Sequence, residues 1–318
     1  MDAVSNARVR YAVLAHDNEP SVAELADLLR HTTPGCQVVV FNGGRDRAFM
    51  EGSGIEVCPT SRKLKWGNLT PFHFATMEWS LEDPAWDVLV TLDQDVLPAT
   101  AELGLAMTRF AADSAYLGIR LGELSAVHPR EANETYSDLM PHWDRLWKGL
   151  LGSEAPYWSF NPVQVFRRDL VEHIVGLPQL RRLRRLSSLS AVFALEEVVF
   201  ASLAVASGLP CGQLPGEYAL LWAHHAPRDA ARFVEDPEVV FIHRVSMDST
   251  APDRVVARAA LLGEPYDRAL LEAPPATIAG PTVRPPKWTV EGLVFRFNIR
   301  VVKAFRLWRR KVRRRILA

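Results

Sequence analysis

Apolar and polar positions fall into blocks whose period changes along the chain. Tyr11-Ala-Val-Leu-Ala15 is a short apolar run that stops at His16-Asp17-Asn18-Glu19-Pro20. Val22, Leu25, Leu28 and Leu29 follow at helical spacing, so the pattern predicts a strand, a loop and a helix capped by Ser21. Val38-Val-Val-Phe41 is a second apolar run and ends in the turn signal Asn42-Gly43-Gly44. A loop containing Lys65-Trp66-Gly67 precedes a helix predicted over 71–81, and Trp86-Asp-Val-Leu-Val-Thr-Leu92 reads as another buried strand. The order β-α-β-α-β predicts an α/β fold with a mixed, mainly parallel sheet flanked by helices.

In the second half, strands are predicted at Ala115-Tyr-Leu-Gly-Ile119 and over 158–166, with a helix from about Ser137 to Leu150 between them. Residues 195–207 read as an apolar helix and Val239-Val-Phe-Ile-His243 as a late strand. Five prolines then accumulate between Pro274 and Pro286. The expected organisation is therefore a main domain over 1–273, a Pro-rich linker over 274–286 and a terminal helix over 287–318.

Composition is that of an ordinary globular chain, with 318 residues, 48% apolar and 23% charged, and a mean hydropathy of −0.02. Basic and acidic residues both number 37, which argues against a generally basic nucleic-acid binder. The balance hides an asymmetry: residues 1–291 carry 27 basic and 37 acidic side chains, and residues 292–318 carry ten basic ones and no acidic one. In that tail Val294, Val301, Phe305, Trp308, Val312 and Ile316 form one helical stripe, with Lys303, Arg306, Arg309, Arg310, Arg313 and Arg314 around it. A basic amphipathic helix suits an anionic membrane surface, or docks on the acidic body of the same or a neighbouring chain. Cys36, Cys58 and Cys211 form no C-x-x-C pair, and the chain shows neither a secretory leader pattern nor a spanning apolar run. These features predict a cytoplasmic protein, peripheral on the inner face of the membrane if the tail binds lipid.

Asp93-Gln94-Asp95 follows the predicted strand 86–92, at the carboxyl edge where open α/β sheets bind ligands. Paired carboxylates on a turn can share a hard divalent cation, Mn2+ or Mg2+, that holds a diphosphate; equally, such aspartates can simply cap turn amides. Glu196-Glu197 opens the apolar helix, where negative charge interacts favourably with the helix dipole. His243-Arg244 ends the late strand, and His224-His225 competes with it for the same roles. Asp17 and Asn42 lie just past the first two strands, and Trp66, Trp158 and Phe160 offer rings for stacking or for the core. Arg181-Arg182-Leu183-Arg184-Arg185 reads as a basic segment between helices, a solvated face or an anion contact.

Taken in order, Tyr11-Ala-Val-Leu-Ala-His16, Lys65-Trp66-Gly67, Thr91-Leu-Asp-Gln-Asp-Val-Leu-Pro98, Trp158-Ser-Phe-Asn161 and Leu195-Glu-Glu-Val-Val-Phe-Ala-Ser202 give the chain its resemblance to a known group. It resembles GT-A glycosyltransferases, and more narrowly the branching N-acetylglucosaminyltransferase and xylosyltransferase group, over roughly residues 10–262. The resemblance implies a GT-A-like fold and transfer of a hexosyl or pentosyl group from a nucleotide-sugar donor to a hydroxyl acceptor. It implies donor recognition by Asp17, Asn42, Lys65, Trp66, Asp93 and Arg244, with Arg244 steadying the diphosphate. It further implies a cation at Asp93 and Asp95 with His243 as third ligand, and a general base at Glu197, with Glu196 as the substitute. The narrower group holds the diphosphate with basic side chains instead of a D-x-D pair, so it implies a metal-independent site where the broader likeness implies a metal. A nucleotidyltransferase would use similar carboxylates, but no Gly-rich phosphate loop follows the first strand. A non-catalytic glycan- or membrane-binding protein on a degenerate transferase scaffold is the other reading.

Overall fold

The computed structural model describes residues 7–65, 67–125, 132–190, 192–220 and 224–275. The terminal helix of 287–318 and most of the Pro-rich linker lie outside the described residues, as does Trp66.

The elements run β1 (Val9–Ala15), α1 (Glu19–Thr32), β2 (Gln37–Asn42), β3 (Glu56–Val57), α2 (Thr70–Ser80), β4 (Val88–Asp93), β5 (Leu97–Pro98) and α3 (Leu103–Asp113). They continue with β6 (Tyr116–Glu123), α4 (Ala132–Leu139), α5 (Lys148–Leu151), β7 (Tyr157–Arg167), α6 (Arg168–Val175), α7 (Leu180–Ser188) and α8 (Glu196–Ala206). The last are β8 (Cys211–Gln213), α9 (Pro227–Glu235), β9 (Phe241–Ile242) and α10 (Pro252–Leu262). Seven strands form one mixed sheet in the order β3-β2-β1-β4-β7-β6-β8. Its first four strands are mutually parallel, β7 is antiparallel to both β4 and β6, and β8 is parallel to β6. The α/β class read from the apolar runs is thus the observed one.

The chain leaves β1 toward β2 on one side and returns to β4 on the other. Right-handed crossovers then put α1 and α2 on opposite faces and open a crevice at the carboxyl ends of β1 and β4. All seven residues of β1 are buried, as expected for a central strand covered on both faces. Helix α8 is apolar on every face after its first two residues, Glu196 and Glu197, and nine of its residues are buried, packed on β7, α2 and α5.

Several boundaries differ from the sequence reading. Helix α1 is capped by Asn18, whose Oδ1 accepts from the Ser21 amide, because Pro20 fits the first turn where no amide hydrogen is needed. Trp86 precedes its strand and is buried with its indole N–H donating to the Ser80 carbonyl. The helix expected over 137–150 is instead α4, a 3-10 turn at Met140–His142, a π turn at Trp143–Trp147 and then α5, since Pro141 cannot supply the next helical amide. The late strand shortens to β9 and leaves the main sheet. It pairs antiparallel with β5, Leu97 opposite Ile242 and Pro98 opposite Phe241.

Helix α10 is fastened to α1 by Arg254, whose side chain is fully buried. Its guanidinium donates to Glu24 Oε1 at 3.2 Å, to the Ser246 carbonyl at 3.0 Å and to the Ser21 carbonyl at 3.0 Å. Removing a buried partner leaves the others unsatisfied, so Arg254→Ala should lower the unfolding free energy by about 3 kcal/mol or more. The half-exposed Arg258, 3.9 Å from the same carboxylate, should cost no more than about 0.5 kcal/mol on mutation to Ala. Urea denaturation of both variants measures the difference.

Candidate active site

A cleft of about 660 Å3 opens at the carboxyl ends of β1 and β4. Its floor is set by β4, which ends at Asp93, directly opposite Leu14 of β1. The turn Asp93-Gln94-Asp95 is fixed by Gln94, whose amide donates to the Leu14 carbonyl and whose Oε1 accepts from the His16 amide at 2.9 Å. The β5/β9 ribbon carries His243 and Arg244 back onto this turn, with the Val245 amide on the Asp95 carbonyl at 2.9 Å. Arg244 Nε donates to Asp95 Oδ2 at 3.2 Å, and His243 Nε2 lies 3.7 Å from Asp95 Oδ1. His225, of the competing His224-His225 pair, has its Nε2 2.8 Å from the His243 carbonyl.

The opposite wall is the start of α8. Glu196 and Glu197 are 3% and 7% exposed, so each carboxyl has exchanged water for protein. Glu196 Oε2 accepts from the Leu69 amide at 2.9 Å, which ties α8 to the loop 65–69. Gly67 permits that loop: its φ is +70°, and a Cβ there would meet the Phe193 ring at 2.4 Å. Glu197 Oε2 accepts from Trp158 Nε1 at 2.8 Å, and the nearby Asn161 backbone favours its ionised form. Asn161 is held in turn by His73 and Gln164, both bonded to its Oδ1. Burial lowers the His73 pKa to about 3, so this imidazole is neutral. Residues 158–161 therefore form the backing of a carboxylate.

Three carboxyls in the cleft resist ionisation. Burial raises Glu196 to about 7. Burial, and next the charge of Glu196, push Glu197 well above the usual carboxylate range. Asp93 is raised well above it too, by burial first and by Asp95 and Glu196 after that, with Arg244 opposing. Positive charge lines the cleft, from Arg45, Lys63, Lys65 and Arg244. Gly43 and Gly44 keep the Arg45 loop close to β1, since a Cβ on Gly44 would lie 2.1 Å from the His16 carbonyl oxygen.

The structure thus brings together Lys65, Asp93, Asp95, Glu196, Glu197, His243 and Arg244 around one cleft. Asp17 and Asn42 stand outside its lining. Asp17 Oδ1 accepts from Gln94 Nε2 at 3.2 Å, and Asn42 Oδ1 accepts from the Gly44 amide at 2.9 Å, so both shape the loops beside it. Among the described residues, no group of three His, Cys, Asp or Glu side chains stands close enough to hold a metal ion. Asp95 already spends one oxygen on Arg244, and its other faces His243 at 3.7 Å, so the expected Asp93, Asp95 and His243 do not close on one point. The sequence reading missed Arg45, Lys63 and Asn161 as cleft residues. The first two lay in loops with no periodic signal; Asn161 stood inside a recognised motif without a role.

No family model matches the chain, and no curated protein sequence matches it. Among solved structures it is similar to the galactosyltransferase LgtC in complex with donor and acceptor sugar analogues. There the identity is 12%, the match covers 81% of this chain and 97% of that one, and the TM-score is 0.40. It is similar to the mannosyltransferase PcManGT from Pyrobaculum calidifontis in complex with GDP-Man and Mn2+, at 13% identity over 81% and 75% of the two chains and a TM-score of 0.37. Glucosyl-3-phosphoglycerate synthase from Mycobacterium tuberculosis, in complex with Mn2+, uridine-diphosphate-glucose and phosphoglyceric acid, is similar at 12% identity over 82% and 81%, with a TM-score of 0.35. Values this low carry no function from those proteins to this chain.

The raised carboxyls make stability depend on pH with a definite sign. A carboxyl near 4.5 when unfolded and about 7 when folded binds more protons in the native state, so its contribution is present below about pH 4.5 and is lost as pH rises toward 7. Glu196→Gln cannot ionise and should remove up to about 3 kcal/mol of this decline. Melting curves of the two proteins from pH 5 to pH 8 should therefore converge at the acid end and diverge at neutral pH, the variant being the more stable there.

Proposed function

We propose that the chain is a glycosyltransferase that moves a sugar from a nucleotide-sugar donor to a hydroxyl acceptor. The observation that carries this reading is one cleft lined both by a fixed carboxylate pair, Glu196 and Glu197, and by Arg45, Lys63, Lys65 and Arg244. The basic side chains supply positive charge for a diphosphate, and the pair supplies a proton acceptor for a hydroxyl. In the displacement, the acceptor oxygen bonds to the anomeric carbon as the bond from that carbon to the diphosphate breaks. Glu197 takes the hydroxyl proton, and the departing diphosphate gains negative charge opposite Arg244 and the lysines, which stand in place before the reaction begins. Trp158 holds Glu197 in position; Glu196 raises its proton affinity.

A divalent cation fits the chemistry of the floor. Asp93 is half-buried, makes no ion pair among the described residues, and has its pKa raised by burial and by Asp95. A dication would relieve that cost, and the carboxylate pair Asp93 and Asp95 would hold it without the third ligand expected at His243. When bound it would add positive charge beside the diphosphate. The donor sugar is bounded by the cleft and by Phe160 and Phe193, whose rings line it.

Release of nucleoside diphosphate from a panel of nucleotide sugars, with Mn2+ and an acceptor mixture, tests the reading. Glu197→Gln should lower turnover by about 10²- to 10⁴-fold with donor affinity retained, the range expected for loss of a general base. Turnover within a few-fold of wild type would reject Glu197. Glu196→Gln removes the like charge that raises Glu197, so it should move the acid limb of the pH–rate profile to lower pH. Asp95→Asn should leave the melting temperature near wild type and weaken nucleoside diphosphate binding in the presence of Mn2+; unchanged binding would remove Asp95 from the site.

A further inference from the structure

A second charged concavity lies outside the cleft, between α7 and the segment 61–65. It measures about 520 Å3, and four arginines line it: Arg62 from the loop after β3, and Arg181, Arg184 and Arg185 from α7. Its one acidic neighbour is Glu78 of α2, which is paired with Arg184. Among the described residues, Arg62, Arg181 and Arg185 make no ion pair.

A solvated basic face would account for the α7 arginines alone. Leu183 and Ser187 are buried and seat the helix on its neighbours, leaving Arg181, Arg182, Arg184 and Arg185 outward. It does not account for Arg62, which arrives from a different part of the chain and faces the same groove. Two segments thus converge four positive charges on a groove that holds one carboxylate, Glu78. Guanidinium forks match the oxygens of phosphate two at a time, which a hydrated surface does not require. The segment bearing Arg62 is also fixed: the Asn42 amide donates to Ser61 Oγ at 3.0 Å and the Leu64 amide to the Gly43 carbonyl at 3.0 Å. Arg62 lines the groove and its neighbour Lys63 lines the cleft, so the two sites stand back to back on one short segment.

We propose that Arg62, Arg181, Arg184 and Arg185 form a phosphate-binding site separate from the cleft, taking the phosphate of a soluble ester or of a lipid headgroup. Calorimetric titration of inorganic pyrophosphate into the full chain at low salt tests it. The wild type should show a binding component that survives Lys63→Ala/Lys65→Ala and weakens at least about tenfold in Arg181→Ala/Arg185→Ala, as charge-assisted contacts are lost. Arg62→Ala alone should weaken the same component, a result a merely solvated helix face would not give. Melting temperatures near wild type, with the Arg184–Glu78 pair kept, exclude unfolding as the cause. Phosphatidylcholine vesicles with and without phosphatidylglycerol identify the source, because wild type and variant share the same tail. Reduced sedimentation of Arg181→Ala/Arg185→Ala with the anionic vesicles assigns the headgroup, and equal sedimentation together with lost pyrophosphate binding assigns the soluble ester. An isotherm of Arg181→Ala/Arg185→Ala that superimposes on wild type, or a wild type with no component independent of Lys63 and Lys65, overturns the proposal.

Discussion

Burial of carboxyl groups at the carboxyl edge of the sheet is the constraint on which the rest of this structure turns. Glu196 and Glu197 are removed from water and Asp93 is half-buried, within reach of each other's charge, and every one of them is raised in pKa by burial. A fold does not keep such a cluster ionised without compensation. The compensation visible in the chain is partial: an indole N–H for Glu197, one amide for Glu196, and the more distant Arg244 for Asp93. The remainder is left for protons, or for a cation together with an anionic ligand that brings the basic side chains into play.

The surrounding architecture serves that cluster. The reversal of strand order at β1, with β2 on one side and β4 on the other, opens the crevice, and the buried strands on either side make its floor rigid. Separating β9 from the main sheet and pairing it with β5 sets His243 and Arg244 against Asp95. The αL residue Ala194 (φ 48°), with its amide on the Gly67 carbonyl at 2.8 Å, turns the chain into α8 so that both glutamates face the cleft. Each device is local, and each aims a charged group at one volume.

Much of this was legible in the amino-acid pattern. The central strands announced themselves as β-branched apolar runs, and Asp93, Asp95, Glu196, Glu197, His243 and Arg244 stood at the ends of such runs, where chemistry gathers. Elements of two or three residues, β3, β5 and β8, are too short to show any period. The basic segment around Arg181 hid a helix because four arginines surround Leu183, and its other buried position, Ser187, is polar and shows no apolar period. Asn42 and Asp17 followed strands as expected yet turned to backbone and to Gln94, a choice decided by loop conformation and not by residue type. His73, Asn161 and Gln164 formed no motif of their own, because the network exists only once α2 lies against β7.

Titration of Mn2+ alone into the protein at pH 7, in two buffers that differ in protonation enthalpy, tests most directly the claim that burial raises the proton affinity of the cluster. Cation binding to carboxyls of raised proton affinity releases protons, so the heats should differ between buffers, and Asp93→Asn should abolish both the binding and the difference. Identical heats in the two buffers, or no Mn2+ binding at all, would contradict the account.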